Sequence, residues 1–143
     1  RLPNHLAALG LSQLNKLNLF NKKRRAIAKI YDKELSNLGN FFIIQKVPKK
    51  ITHSYQMYTV RVPIKYRSKF LDFMRKKNIE VSVHFDPPLH QQKYLKDYYK
   101  KKLPKTDILS KEIVTLPIFP DMKIKEINYV INNIKKFLSK LNF

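Results

Sequence analysis

Residues 79–90, IEVSVHFDPPLH, combine the pattern of a half-buried strand with two prolines and two histidines. Apolar side chains alternate with polar ones over residues 79–85, which is the two-residue period of a strand with one buried face. The two prolines then end the strand, because proline cannot donate to a sheet ladder. His84 and His90 therefore lie at and just beyond a strand end. From these residues alone, histidines satisfied by the backbone are the preferred interpretation over an acid, a base or a phosphate donor.

Helical patterns surround this strand on both sides. Apolar residues recur every three or four positions over residues 4–38, which predicts one long helix with a kink or break near residues 18–21. Residues 67–77 predict a shorter helix directly before the strand. Residues 124–141 have the spacing of an amphipathic terminal helix. A helix as long as the first is typical of segments that cross between domains or subunits.

Two further strands are predicted between the long helix and the shorter one. Residues 54–62, SYQMYTVRV, are rich in aromatic and β-branched side chains, and Pro63 closes them. Residues 41–47 are a short apolar run that ends at a proline. The predicted fold is therefore an α/β domain in which a small mixed sheet of about three strands is covered by helices.

The segment after the histidines predicts short helices and an extended stretch. Residues 94–103 are basic, rich in tyrosine and helical in pattern, and a short helix is expected over residues 106–113. Two prolines within residues 115–122, TLPIFPDM, favour an extended backbone there.

The charge balance raises the possibility of a polyanion partner. Thirty basic residues against ten acidic ones give a net charge of +20, which would attract nucleic acid through counterion release. Lysine greatly outnumbers arginine, however, and arginine is the better ligand for phosphates and bases. The lysines are also spread along the chain. A solvated basic surface is the favoured interpretation, and a nucleic-acid-binding module that uses residues 93–102, KYLKDYYKKK, is the alternative.

Several kinds of site have no support in the sequence. The absence of cysteine excludes disulfides and thiolate chemistry, and two glycines cannot make a glycine-rich phosphate loop. The four histidines lack the spacing of a zinc site, so we expect no metal. No apolar stretch has the length of a membrane helix and no secretory signal pattern is present, so we expect a cytoplasmic protein.

Five segments taken together resemble a known family. They occur in the same order and at similar spacing in the C-terminal part of the DegT/DnrJ/StrS family of pyridoxal-phosphate-dependent sugar aminotransferases, and the resemblance covers essentially all of the chain. The segments are residues 1–14 (RLPNHLAALGLSQL), 24–35 (RRAIAKIYDKEL), 53–62 (HSYQMYTVRV), 79–90 (IEVSVHFDPPLH) and 109–122 (LSKEIVTLPIFPDM).

The resemblance implies an architecture and an activity. Family members have a large domain that holds the cofactor and a smaller C-terminal α/β domain that caps it. They work as homodimers with active sites at the subunit interface. They transfer an amino group, usually from glutamate, to a keto-sugar carried on a nucleotide diphosphate. The expected partners are thus a nucleotide sugar, glutamate and a second subunit, with neither membrane nor nucleic acid.

The resemblance also implies roles for four residues. Arg1 matches the arginine of the family's N-Y-R-M/L segment, which approaches the cofactor phosphate and the substrate of the partner subunit. His84 and Phe85 match the V-H-Y/F pair that lines the sugar-nucleotide side of the cleft. His53, at the start of the third segment, is placed with them on the substrate side.

The family's reactive residues are expected outside this chain. A pyridoxal enzyme needs a lysine that bonds the cofactor and an acid beside its ring nitrogen, and in the family both precede the segment that Arg1 matches. We therefore expect residues 1–143 to be a fragment without the large domain, in which residues 1–38 form the long helix and residues 41–143 the cap. We expect no catalytic residue in it, no cofactor bound by it alone and no transamination. A structural domain that dimerises through its first helix is the third alternative.

Overall fold

Helices and short strands are interspersed along the described part of the chain, which comprises residues 2–95, 98 and 102–141 of the computed structural model. The α-helices are α1 (Asn4–Leu14), α2 (Leu17–Ser36), α3 (Ile64–Arg75), α4 (Pro104–Glu112) and α5 (Ile124–Ser139). The strands are β1 (Ile43–Ile44), β2 (Tyr58–Arg61) and β3 (Ile113–Leu116). None of the described helices has both the length and the apolar character needed to cross a membrane.

The three strands form one sheet in the order β1-β2-β3. Val60 of the central strand is paired with Ile44 on one side and Val114 on the other. Strand β2 forms because its aromatic and β-branched residues fit a pleated surface, and it ends just before Pro63. The prediction of about three strands covered by helices is confirmed, but the described strands pair antiparallel rather than in a mixed sheet.

Helices α2, α3 and α5 cover one face of the sheet and share a single core with it. Three phenylalanines lie at its centre: the Phe137 ring is 5.2 Å from that of Phe70 and 6.1 Å from that of Phe41. Helix α5 supplies an apolar stripe at three- and four-residue spacing, as its sequence pattern predicts. The buried apolar members of this stripe are Ile127, Val130, Ile131, Ile134, Phe137 and Leu138.

The long predicted helix is interrupted earlier than expected. Helix is observed over most of residues 4–38, but the break lies at residues 15–16 and not at residues 18–21. There the Lys16 amide donates to the Gln13 carbonyl at 3.0 Å, three residues back, which tightens the turn and ends α1. Only α2 reaches the core, since its first buried residue is Ile27 and α1 has none.

In the strand predicted over residues 79–85, a single residue forms a β-bridge. Ile79 and Val81 are buried as the alternation predicts, but Ser82 alone pairs, with Thr115 of β3. The chain turns directly afterwards, and Phe85 is 73% exposed instead of buried. The alternation thus identified the inward side chains, whereas the turn at residues 84–87 takes the chain away from β3 before the ladder can extend beyond Ser82.

A strand that the sequence analysis did not predict lies beside this bridge. Residues 113–116 form strand β3, although the pattern assigned them partly to a helix and partly to an unpaired extended stretch. Four residues before a proline are too few to show a clear period. The helix predicted over residues 94–103 falls largely on residues 96, 97 and 99–101, which lie outside the described residues.

The packing of α5 gives a stability test. Ile134 is fully buried, so truncation to alanine should lower the free energy of unfolding by about 2–5 kcal/mol in urea denaturation. Ile124 lies on the same helix and is 58% exposed, so Ile124→Ala should change stability by no more than about 0.5 kcal/mol. Equal losses for the two variants would show that α5 does not pack through the Ile134 face.

Candidate functional site

A cavity of about 740 Å³ lies beside the bridge between residues 82 and 115. Its other walls come from residues 117–122 and from the first turns of α5. Apolar side chains such as Ile79 and Phe119 line it together with Tyr129, and His84 lies among its polar lining residues. Cavities of this size, apolar with a few polar groups, are typical of small-molecule sites.

His84 belongs to a cluster of hydroxyl side chains. Its Nδ1 lies 3.2 Å from Thr115 Oγ1 and 3.3 Å from Ser82 Oγ. Thr115 Oγ1 in turn lies 3.5 Å from Thr59 Oγ1 on the central strand. These contacts occupy one ring nitrogen, while Nε2 has no hydrogen-bond partner among the described residues and the side chain is exposed. The imidazole is therefore held by the sheet and remains able to meet a ligand.

Phe85 adjoins a second cavity, of about 550 Å³, whose walls are mainly apolar and include Pro87 and Leu109. His84 lines both cavities, and its ring lies 5.9 Å from the Phe85 ring at an angle of 76°. The structure thus brings these two predicted residues together, with the imidazole between the cavities and the exposed phenyl ring at the second.

The loop that carries this pair is fastened to two helices. Arg67 of α3 donates to the Asp86 carboxylate at 3.0 Å and to the Ser110 carbonyl at 2.5 Å. His90 Nε2 lies 2.8 Å from the Asp107 carboxylate of α4. His90, which the sequence left as a possible acid or base, is therefore part of the attachment of the loop.

His53 lies apart from the pair. It is not among the residues that line either cavity, although residues 56 and 57 of the same segment line the first. Its Nδ1 accepts a hydrogen bond from the Tyr55 amide at 3.0 Å, and its ring lies 4.5 Å from the Tyr55 ring. The structure therefore does not bring His53 together with His84 at either cavity.

A tyrosine ladder links this segment to the cavity wall. The Tyr58 ring lies 6.1 Å from that of Tyr55 and 5.0 Å from that of Tyr31. The Tyr58 hydroxyl donates to the Asp32 carboxylate at 2.6 Å, and the Tyr31 hydroxyl donates to the Pro117 carbonyl at 3.0 Å. Helix α2, strand β2 and the cavity wall are thereby tied together.

The ladder favours neutral phenols. Burial raises the pKa of Tyr31, and burial followed by the hydrogen bond to Asp32 raises the pKa of Tyr58. Sequence reasoning did not assign these tyrosines or the Thr59 and Thr115 hydroxyls to the site. Tyr31 lies in the second family segment, Tyr58 and Thr59 in the third and Thr115 in the fifth, but which of these side chains meet depends on the pairing of the strands.

No lysine is buried among the described residues. Pyridoxal phosphate needs an enclosed lysine, yet every described lysine is exposed except Lys23, which is half-buried and pairs with Asp121 at 2.8 Å. Within the same residues, no three His, Asp or Glu side chains are grouped as metal ligands would be. Arg1, predicted to approach the cofactor, lies outside the described residues, as do Lys96, Lys100 and Lys101 of the alternative basic surface.

Comparison with known proteins shows which family the chain belongs to. The sequence model of the DegT/DnrJ/EryC1/StrS aminotransferase family matches residues 1–135. An uncharacterized protein of Methanocaldococcus jannaschii is 33% identical over 141 residues, which cover 94% of this chain and 36% of that protein. The dTDP-3-amino-3,6-dideoxy-alpha-D-galactopyranose transaminase of Aneurinibacillus thermoaerophilus is 30% identical over 138 residues, covering 96% and 37%.

A solved structure has the same fold. The aminotransferase TlmJ from Streptoalloteichus hindustanus superimposes with a TM-score of 0.86 at 25% identity, over 96% of this chain and 37% of that one. The chain therefore spans somewhat more than a third of the length of the relatives it matches.

The tyrosine ladder predicts a loss of stability in alkali. The pKa of Tyr58 is raised in the folded state, so its contribution to the free energy of unfolding is fully present below the pKa of the unfolded chain, about 10. That contribution decreases as the pH rises above this value. At pH 7, Tyr58→Phe should cost about 1 kcal/mol for the lost hydrogen bond. The difference between wild type and Tyr58→Phe should shrink between pH 9 and 11, measured by urea unfolding.

Lysine deprotonation over the same range affects both proteins alike, so the comparison isolates the phenol. Tyr94 is 84% exposed, and Tyr94→Phe serves as the control whose difference from wild type should stay constant with pH. A Tyr58→Phe difference that is equally constant would show that folding does not raise the pKa of Tyr58.

Proposed function

Because the chain belongs to the DegT/DnrJ/EryC1/StrS aminotransferase family, we propose that it forms the C-terminal cap domain of a pyridoxal-phosphate-dependent sugar aminotransferase. The enzyme would transfer an amino group from glutamate to a keto-sugar linked to a nucleotide diphosphate, as a homodimer in the cytoplasm. The family match over residues 1–135 of 143 is the observation that carries this proposal.

The length of the relatives supports an enzyme of two domains, one that binds the cofactor and one that contacts the substrate. This chain covers 36–37% of the two protein relatives, so most of each of them has no counterpart here. The described residues offer no enclosed lysine for the cofactor. We propose that the missing part supplies that lysine, that the cofactor supplies the electron sink for amino transfer, and that this chain supplies substrate contacts.

His84 and Phe85 are the proposed substrate contacts. The Thr115 and Ser82 hydroxyls hold Nδ1 of His84. When Nδ1 accepts from a hydroxyl, Nε2 carries the proton and can donate a hydrogen bond to a sugar hydroxyl or a diphosphate oxygen. Phe85 is 73% exposed beside it and offers an apolar face to the carbons of a sugar ring. His84 lines both cavities and Phe85 lines the second, which supports one continuous substrate surface.

Arg1 and His53 complete the proposed set. An arginine can bind a phosphate through two parallel hydrogen bonds, which suits the proposed contact of Arg1 with the cofactor phosphate. His53 would act on the substrate side from the segment that also contributes Gln56 and Met57 to the first cavity.

A hybrid enzyme tests the proposal. In it this chain replaces the matched portion of the Aneurinibacillus thermoaerophilus transaminase, and amine transfer is assayed on that enzyme's sugar nucleotide. His84→Ala should raise KM about tenfold or more with a smaller change in kcat, because one hydrogen bond of about 1.4 kcal/mol is lost. Phe85→Ala should act in the same direction.

Ile43 provides the matched control, since it is 51% exposed and lies on β1 outside both cavities. Ile43→Ala should leave KM and kcat unchanged. Unchanged kinetics in both the His84 and the Phe85 variants would refute their placement at the substrate.

The isolated chain provides the second test of the same proposal. Mixed with pyridoxal phosphate, glutamate and the keto-sugar nucleotide, it should transfer no amine, because no described lysine is enclosed. Turnover by the 143-residue chain alone would show that it is a complete catalyst and not a cap.

A further inference from the structure

The loop that carries His84 and Phe85 lies beyond the last sheet pairing of its segment. Residues 84–92 follow an irregular path of turns and bends, and the pairing with β3 ends at Ser82. Residues 84–87 are exposed, so burial contributes little to fixing their side chains. A side chain on such a loop loses conformational entropy when it meets a ligand, unless other contacts already restrict it. Those contacts are polar and come from two helices.

Arg67 of α3 holds the start of this loop. Its Nη2 donates to the carboxylate of Asp86, the residue after Phe85, and its Nη1 donates to the Ser110 carbonyl of α4. The Arg67 side chain is only 17% exposed, so its position is fixed by the surrounding structure. The planar guanidinium points two nitrogens at two different elements, a geometry that the single ammonium group of lysine does not reproduce.

Asp107 of α4 holds the far end of the loop. Its Oδ1 lies 2.8 Å from His90 Nε2 and accepts a hydrogen bond from Gln91 Nε2 at 2.6 Å. Between the two attachments the loop is closed on itself, because Gln92 Nε2 donates to the Pro87 carbonyl at 2.7 Å. The loop is therefore attached to the helices on both sides of its two prolines.

Both attachments end on α4, three residues apart. Asp107 and Ser110 are neighbours on the surface of that helix, and the Ser110 hydroxyl donates to the Asp107 carbonyl at 3.0 Å. Leu109 of the same helix lines the second cavity together with Phe85 and Pro87 of the loop. The attachments thus set the distance between the helix and the loop that form this cavity, and with it the position of Phe85.

Resting on the proposed function, we propose that Arg67 and Asp107 are positioning residues of the substrate site. Neither is among the residues that line the two cavities, so they act through the loop and not by contact with the substrate. They hold the loop against α4 before the substrate arrives. The binding energy of His84 and Phe85 is then not spent on ordering the loop.

A double-mutant cycle in the hybrid enzyme gives the first test. Arg67→Lys keeps the charge but loses the two-pronged geometry, so KM for the sugar nucleotide should rise about threefold to tenfold, with a smaller change in kcat. In the His84→Ala/Phe85→Ala background, Arg67→Lys should leave KM unchanged, because the side chains through which it acts are absent.

Lys69 provides the matched control, since it is exposed on the same helix and lines neither cavity. Lys69→Arg should leave KM unchanged in both backgrounds. An equal rise in KM for Arg67→Lys in both backgrounds would show that Arg67 supports the fold as a whole, and would overturn the proposal. An unchanged KM in the otherwise unmodified hybrid would overturn it as well.

NMR relaxation of the isolated chain gives the second test, which needs no activity. Backbone order parameters of residues 84–92 should be near 0.85, roughly the value of rigid backbone, and should fall below about 0.6 in the Arg67→Lys/Asp107→Asn variant. The order parameters of α5 should be alike in both proteins, which shows that the domain remains folded. A loop that stays rigid in the variant, or is already flexible in the unmodified chain, would refute the positioning role.

The two tests separate this inference from the proposed function. A hybrid that transfers no amine contradicts the proposed activity, and the order parameters of the isolated chain still decide whether Arg67 and Asp107 hold the loop. An active hybrid in which Arg67→Lys leaves KM unchanged contradicts only the positioning role.

Discussion

The rest of the structure depends on one constraint: helices α2 and α5 must cover one face of the sheet. Three short strands cannot bury enough apolar surface to be stable alone. The central strand therefore turns Tyr58 and Val60 toward the helices, where each is at most 3% exposed. Because successive side chains of a strand alternate between faces, this choice also sets what the opposite face presents.

The opposite face is where the polar cluster arises. Thr59 lies between Tyr58 and Val60, so it must point away from the core, toward Thr115 of the neighbouring strand. Ser82 extends the same row one step further across the sheet through its bridge to Thr115, and the His84 ring contacts the hydroxyls of both residues. A histidine on a loop would lose side-chain entropy on meeting a ligand, but here two hydroxyls already restrict its ring. Burial of the apolar side chains on one face of the sheet thus places the polar side chains together on the other face.

The sequence predicted those parts of this arrangement that depend on local pattern. The helical periods located α2, α3 and α5, and the aromatic and β-branched run located β2, because each is set by residues close in the chain. The pairing of residue 82 with residue 115 was not predictable in the same way, since it joins positions 33 residues apart. The length of the strand predicted over residues 79–85 was therefore wrong. For the site, the family segments placed His84 and Phe85 side by side, whereas the separation of His53 from them depends on the fold of residues 53–57.

Charge and apolar surface are divided between different parts of the chain, and the division bears on how the domain is used. With a net charge of +20, two copies of this chain repel each other wherever their lysine-bearing surfaces meet. Residues 2–15, which include α1, carry no lysine or arginine, so two copies could meet there without bringing cationic side chains together.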